Sequence, residues 1–99
     1  MNLPSDVEFQ LLTLVIVERC GREVAKLYKK ITGREISYGT LYAAFRRMVE
    51  WRWVDVRDDE DQDGRVRWFK ITGPGVRAMN DARKRYVELA GFGTAEVAP

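Results

Sequence analysis

The chain contains no histidine and a single cysteine, Cys20. One cysteine cannot form an intrachain disulfide, which suits a reducing, cytoplasmic compartment. The two scarcities together leave a zinc site without its usual ligands, so no metal is expected. They also remove the common general base and any Ser–His or Cys–His nucleophile, so an enzyme is not expected. Gly-rich phosphate loops are absent, and no cofactor is implied. No apolar run approaches the roughly 18 residues of a membrane span, so no membrane partner is implied either. The N-terminus lacks the basic-then-apolar pattern of a secretory signal.

What is present is a soluble globular composition. Ninety-nine residues, 45% hydrophobic and 32% charged, make one small domain with a core. The net charge is only +2, but it is distributed in blocks. Residues 1–52 carry nine basic and six acidic groups, residues 53–64 one and six, residues 65–85 seven and one, and residues 86–99 none and two. Two basic blocks around an acidic segment would give a locally positive face on a nearly neutral protein.

The stretch from Ile36 to Val49 organises the rest. Ser37 is a good helix N-cap. Leu41, Phe45 and Met48 recur at helical spacing and predict a buried face. Thr40, Ala43 and Arg47 fall on another face, with Tyr42 and Arg46 at its flank and Tyr38 in the first turn. A short, uncharged, hydrogen-bonding tip followed by arginines suits the major groove of double-stranded DNA. The plainer alternative is an amphipathic helix with a solvated face.

Before this stretch, Ser5 and Glu8 form a capping box that starts a helix expected to run to about Cys20, with Gly21 as its stop. Its residues are apolar on nearly all sides, which predicts burial on two sides, one of them against another subunit or, alternatively, within a monomer core. A second helix is expected from Arg22 to Ile31, with Val24, Leu27, Tyr28 and Ile31 on its stripe. Arg22 and Lys26 would sit near phosphates if this is the first helix of a helix-turn-helix. Gly33, Arg34 and Glu35 make a connection of suitable length.

After Arg52 the period changes to two. Trp53–Arg57 and Arg65–Ile71 read as antiparallel strands, joined by a polar tip with Asp63-Gly64 as its turn. The acidic tip lacks the glutamate that closes a calcium loop. It reads as a solvated turn that guards the strand edges and would repel phosphate. Thr72 caps a last helix in which Val76, Met79, Ala82, Tyr86 and Leu89 form a stripe in need of a partner. The expected class is mainly α with a β-hairpin (α+β): a winged helix-turn-helix over 1–72, a dimerisation helix over 73–91 and a loose tail over 92–99.

Ser37-Tyr-Gly-Thr-Leu-Tyr-Ala-Ala-Phe-Arg-Arg-Met48 resembles the G-T-L-Y-x-x-L-x-R-L recognition helix of the PadR family of bacterial transcriptional regulators. Glu23-Val-Ala-Lys26 and Gly64-Arg-Val-Arg-Trp-Phe-Lys-Ile-Thr72 support the resemblance. It implies a homodimer built through the first and last helices, a palindromic operator, and repression sometimes relieved by an aromatic small molecule. Carried onto this chain, the DNA contacts would come from Ser37, Tyr38, Thr40, Tyr42, Ala43, Arg46 and Arg47, with Arg65 and Arg67 on the wing. Phe9, Leu12, Ile16, Val76, Met79, Tyr86 and Leu89 would serve dimerisation. Arg52 stands where the family usually has glycine, so either the turn differs or Arg52 takes the unfavourable angle itself. Two other readings compete with a DNA-binding repressor. One is a winged-helix adaptor that binds a protein instead of DNA. The other is a sensor whose dimer interface holds a flat aromatic ligand, a reading motivated by Trp51, Trp53, Trp68 and Phe92, with Trp51 and Trp53 as the candidate ligand contacts.

Overall fold

The computed structural model describes residues 3–62 and 64–97. Its elements are α1 (Asp6–Leu14), β1 (Arg19–Cys20), α2 (Gly21–Thr32), α3 (Tyr38–Glu50), β2 (Val54–Asp61), β3 (Gly64–Ile71) and α4 (Gly73–Val97). The three strands form one antiparallel sheet in the order β1-β3-β2. This is the expected α+β winged helix-turn-helix.

The start of α1 follows from its capping box. Ser5 Oγ accepts from Glu8 N at 3.2 Å, and Glu8 Oε1 accepts from Ser5 N at 2.8 Å. Its end differs from the sequence expectation, because the helix stops at Leu14 and not near Cys20. The Val15 carbonyl is taken by Ile71 N at 2.8 Å, and Arg19–Cys20 pairs with Phe69 and Trp68 of β3. The run that looked apolar all round is therefore two structures in succession, a helix to Leu14 and then a turn through residues 15–17 that leads into the Arg19–Cys20 strand. Ile16 and Val17 are exposed as a result. Gly21 does not terminate α1; it is the first residue of α2.

Glu23 reaches back to cap the start of α2, its Oε1 accepting from Cys20 N at 3.2 Å. Val24 and Tyr28 are buried, whereas Ile31, expected on the stripe, is 68% exposed at the last turn. A left-handed Gly33 ends the helix. In α3, Ser37 Oγ accepts from Thr40 N at 3.1 Å, and Leu41, Ala44, Phe45 and Met48 enter the core. Phe45 lies flat on Phe69 of β3, with centroids 4.1 Å apart and planes 8° from parallel. This stack fixes α3 to the wing.

The α3–β2 turn does place a non-glycine residue in the left-handed region, since Arg52 has φ 63. Such an angle costs energy in a residue with a Cβ, and the surroundings hold it there. Trp53 N donates to Met48 O at 2.8 Å, Thr72 N donates to Trp53 O at 2.9 Å, and Thr72 Oγ1 donates to Arg52 O. Thr72 Oγ1 also accepts from Gly75 N at 3.0 Å, which caps α4. Gly75 allows this close approach, because a Cβ there would lie 2.1 Å from Trp53 O.

The hairpin is longer than expected. Residues 58–61 belong to β2 and pair with 64–67 of β3, so most of the acidic segment is strand and not tip. Asp63 of the expected turn lies outside the described residues, and Gly64 has φ 112. α4 is also longer, since its backbone stays helical through Val97 where a loose tail from 92 was expected. Gly91 lies within it, because a glycine lowers helix stability by roughly 1 kcal/mol without ending the hydrogen-bond ladder. Ala78, Met79 and Ala82 are buried, but residues 83–92 are exposed on every side. This projecting helix helps give the chain its 60 × 29 × 20 Å extents.

Candidate nucleic-acid interface

The outer face of α3 is built by the same residues that bury its inner face. Burial of Leu41, Ala44, Phe45 and Met48 turns Tyr38, Gly39, Thr40, Arg46 and Arg47 outward. Ala43 is half-buried at the edge of that face. Ser37 Oγ donates to Thr40 Oγ1 at 2.9 Å, so the polar tip of the helix is ordered by a local bond between exposed groups. Tyr38 stacks on Tyr42 with centroids 6.2 Å apart, and Tyr42 tilts onto Phe69 at 6.0 Å.

Tyr42 also locks α3 to the start of α2. A Cβ on Gly21 would meet the Tyr42 hydroxyl at 2.5 Å, so any larger residue there would have to push the ring aside. The result is a cleft lined by Cys20 at the end of β1, Gly21 and Arg22 at the start of α2, Tyr38 and Tyr42 from α3, and Arg65 and Arg67 from β3. Four of the expected DNA-contact residues thus meet in one concave surface, with Ser37, Thr40 and Arg46 on the adjoining ridge. The part played by Gly21 was not visible in the sequence, where it read as a helix stop.

Three expected contacts carry partners of their own. Arg47 Nε donates to Glu8 Oε2 at 3.4 Å, and the Glu8 side chain is only 6% exposed. Glu8 therefore serves both as the cap of α1 and as a tether for α3, a link across 39 positions that no local pattern reveals. On the wing, Arg65 Nη2 bonds Asp58 Oδ2 at 2.5 Å, and Arg67 Nε lies 3.4 Å from Asp58 Oδ1. The outer face of the hairpin is also paired. Arg57 bonds Glu18 through Nε at 3.0 Å and Nη2 at 2.7 Å, and its guanidinium lies 5.3 Å above the Trp68 ring. That fork holds the Glu18 carboxyl below the ordinary glutamate range, partial desolvation opposing it.

The residues expected at a dimer contact divide into two groups. Phe9 tilts onto Tyr86 at 5.3 Å, and the Tyr86 hydroxyl donates to the Asp6 carboxylate, which raises the tyrosine pKa. Ile16, Val76, Tyr86 and Leu89 are exposed, as are Val87 and Phe92 beside them. Leu12 and Met79 are different. They are 0% and 9% exposed within the chain's own core and have no surface left for a second subunit. Trp51 packs edge-on against Trp53 at 4.7 Å, and Trp53 is only 7% exposed, so packing at the α3–β2 turn uses most of the indole surface of this pair.

Among the described residues, no helix is long and apolar enough to cross a membrane, and no group of three or more Cys, Asp or Glu is placed to hold a metal ion. Three helices followed by a two-stranded wing, with the third helix exposed beside that wing, define a winged helix-turn-helix protein. The chain belongs to the transcriptional regulator PadR-like family, whose profile matches residues 11–81. Solved structures agree on the fold. A PadR family transcriptional regulator from Eggerthella lenta superposes with a TM-score of 0.82 at 18% identity, covering 94% of this chain and 83% of that one. A transcriptional regulator from Clostridium thermocellum gives 0.78 at 23% identity, covering 94% and 93%. A PadR-like transcription factor from Bacteroides fragilis gives 0.82 at 17% identity, covering 92% and 89%. None of the curated proteins compared with the chain matches it.

Proposed function

We propose that two copies of this chain bind one palindromic double-stranded DNA operator in the cytoplasm and repress the promoter that contains it. The observation that carries this reading is the outer face of α3. Its first turn offers Tyr38, Gly39 and Thr40 to solvent, with the Ser37–Thr40 bond holding the hydroxyls in place. Tyr42, Arg65 and Arg67 flank it in the adjoining cleft. Hydroxyls at the tip of a helix read base edges, and flanking cations meet phosphates.

Pairing of two chains is supported by α4. Its outer half presents Tyr86, Val87, Leu89 and Phe92, which are 39–71% exposed, with Phe9 covering one side of Tyr86. A second copy of the same helix, together with Phe9 of α1 and Ile16 just after it, supplies an apolar surface of matching character. Repression follows from occupancy, since a dimer seated on a promoter obstructs polymerase.

Selection of bound duplexes from a random pool tests the reading. The expected product is a palindrome whose half-sites are centred roughly 10 base pairs, or a multiple of that, apart. Affinity for that product should fall steeply as salt rises. No enrichment, or a flat salt series, would remove the DNA-binding reading and favour the protein adaptor. Enrichment of a single asymmetric half-site would remove the dimer.

A further inference from the structure

The wing carries its own competitor for phosphate. Asp58 lies opposite Arg67 and Glu60 opposite Arg65 in the β2–β3 register. Side chains alternate along strands, so Asp58, Glu60, Arg65, Arg67 and Phe69 share one face of the hairpin. Phe69 on that face stacks on Phe45 of α3, so the face is turned toward the recognition helix. There Asp58 holds Arg65 with one carboxylate oxygen at 2.5 Å and Arg67 with the other at 3.4 Å. One anion with two oxygens bridges two guanidinium groups, which is how a DNA phosphate would use them.

We propose that Asp58 is an internal stand-in for a backbone phosphate: it holds the two wing arginines away from DNA and so sets how much of the binding is independent of sequence. The proposal rests on the DNA-binding reading above. The physical argument is one of tethering. A phosphate approaching Arg65 and Arg67 must displace a carboxylate fixed directly across the ladder, whose effective concentration there is far above that of any solute ion. After displacement the carboxylate stays beside the phosphate and repels it. The three side chains are 37%, 67% and 49% exposed, so the exchange is open to solvent and neither state is locked. Contacts to phosphate are blind to sequence, whereas those of α3 are not. Weakening the former lowers the affinity for random DNA more than that for the operator, and the specificity ratio rises.

The test compares full-length wild type, Asp58→Asn, Asp55→Asn, Arg65→Gln/Arg67→Gln, and the triple variant Asp58→Asn/Arg65→Gln/Arg67→Gln. Each is titrated with the selected operator and with a random duplex across a salt series. Asp55 lies opposite Lys70, one residue out of phase with the Asp58 face, and its neutralisation changes the net charge equally. Asp58→Asn should bind the random duplex about ten-fold more tightly and the operator by a smaller factor. It should steepen the salt slope by up to about two, one for each released arginine. Asp55→Asn should change far less, and the triple variant should lose the gain.

Removing the two arginines from wild type should weaken binding less than about three-fold, because Asp58 already occupies them. This arm does not depend on the folding of any Asp58 variant. Equal effects of Asp58→Asn and Asp55→Asn, or a ten-fold loss in Arg65→Gln/Arg67→Gln, would overturn the proposal and leave the DNA reading standing. Absence of binding by wild type and every variant would overturn both.

Discussion

The third helix and the wing present arginines toward the same side of the molecule, yet they prepare them differently. The tip of α3 is ordered by a bond between two of its own hydroxyls, and Arg46 beside it is exposed. On the wing, Arg65 and Arg67 face the same solvent but share one carboxylate from the neighbouring strand. Arg47 stands between the two cases, outward-facing but tied to the buried Glu8. A polar group whose only partner is local can exchange it for a base edge at little cost. A cation already matched to an anion must first give that anion up. On the proposed DNA-binding reading, the difference locates discrimination on the helix and makes the wing a weak, adjustable contributor.

The sharpest way to break this contrast is to remove what both regions share. Phe45→Ala deletes the ring that stacks on Phe69 and leaves a cavity under both α3 and β3. Loss of a fully buried phenylalanine costs about 3–5 kcal/mol, so the thermal midpoint should drop markedly and both DNA affinity and hairpin order should go with it. A variant that melts like wild type would mean that helix and wing are supported separately. A smaller change separates them. Thr40→Ala removes one hydroxyl from the helix tip but leaves the Ser37 cap on the backbone intact. It should cost the operator about 1 kcal/mol and random DNA much less, with an unchanged salt slope. Equal losses on both duplexes would move Thr40 from reading bases to holding phosphate.

Most of this arrangement was legible in the residues because it is local. The Ser5–Glu8 box, the Ser37 cap, the Leu41–Phe45–Met48 stripe and the alternation of Arg65–Ile71 each lie within a few positions, and each appears where its spacing placed it. Arg52 in the left-handed region was legible too, through the glycine that the resemblance placed there. What could not be read is non-local. The end of α1 is decided by Ile71 taking the Val15 carbonyl and by β3 pairing with Arg19–Cys20, both more than 45 residues away. Gly21 looked like punctuation because its reason, the Tyr42 hydroxyl, arrives from another helix. Leu12 and Met79 lay on stripes that suited a partner, and periodicity cannot say whether an apolar face meets its own chain or a copy. The Asp58 pairs were hidden for a related reason, since the acidic segment read as a loop until strand register set each charge opposite another.

The smallest expected effect concerns the outer face of the wing, where Arg57 bonds Glu18 beside the short first strand. Hydrogen bonding from Arg57 is the leading cause that lowers the Glu18 pKa, with Coulomb attraction to Arg57 and Lys70 adding to it. A carboxyl whose pKa is lower in the folded chain stabilises the fold above its unfolded value of about 4.5. That stabilisation fades as pH falls through the lower folded value, when the carboxylate takes up a proton and the fork opens. The pair is solvent-exposed, so its effect is modest and screened by salt. Glu18→Gln should therefore lower the thermal midpoint slightly at pH 7, and its deficit should shrink as pH is taken below about 4.5. DNA affinity at neutral pH should barely change, because Arg57 and Glu18 lie on the face opposite Phe69. A clear loss of operator binding in Glu18→Gln would mean that the outer face of the hairpin steers the wing, and the division between a discriminating helix and a passive wing would have to be redrawn.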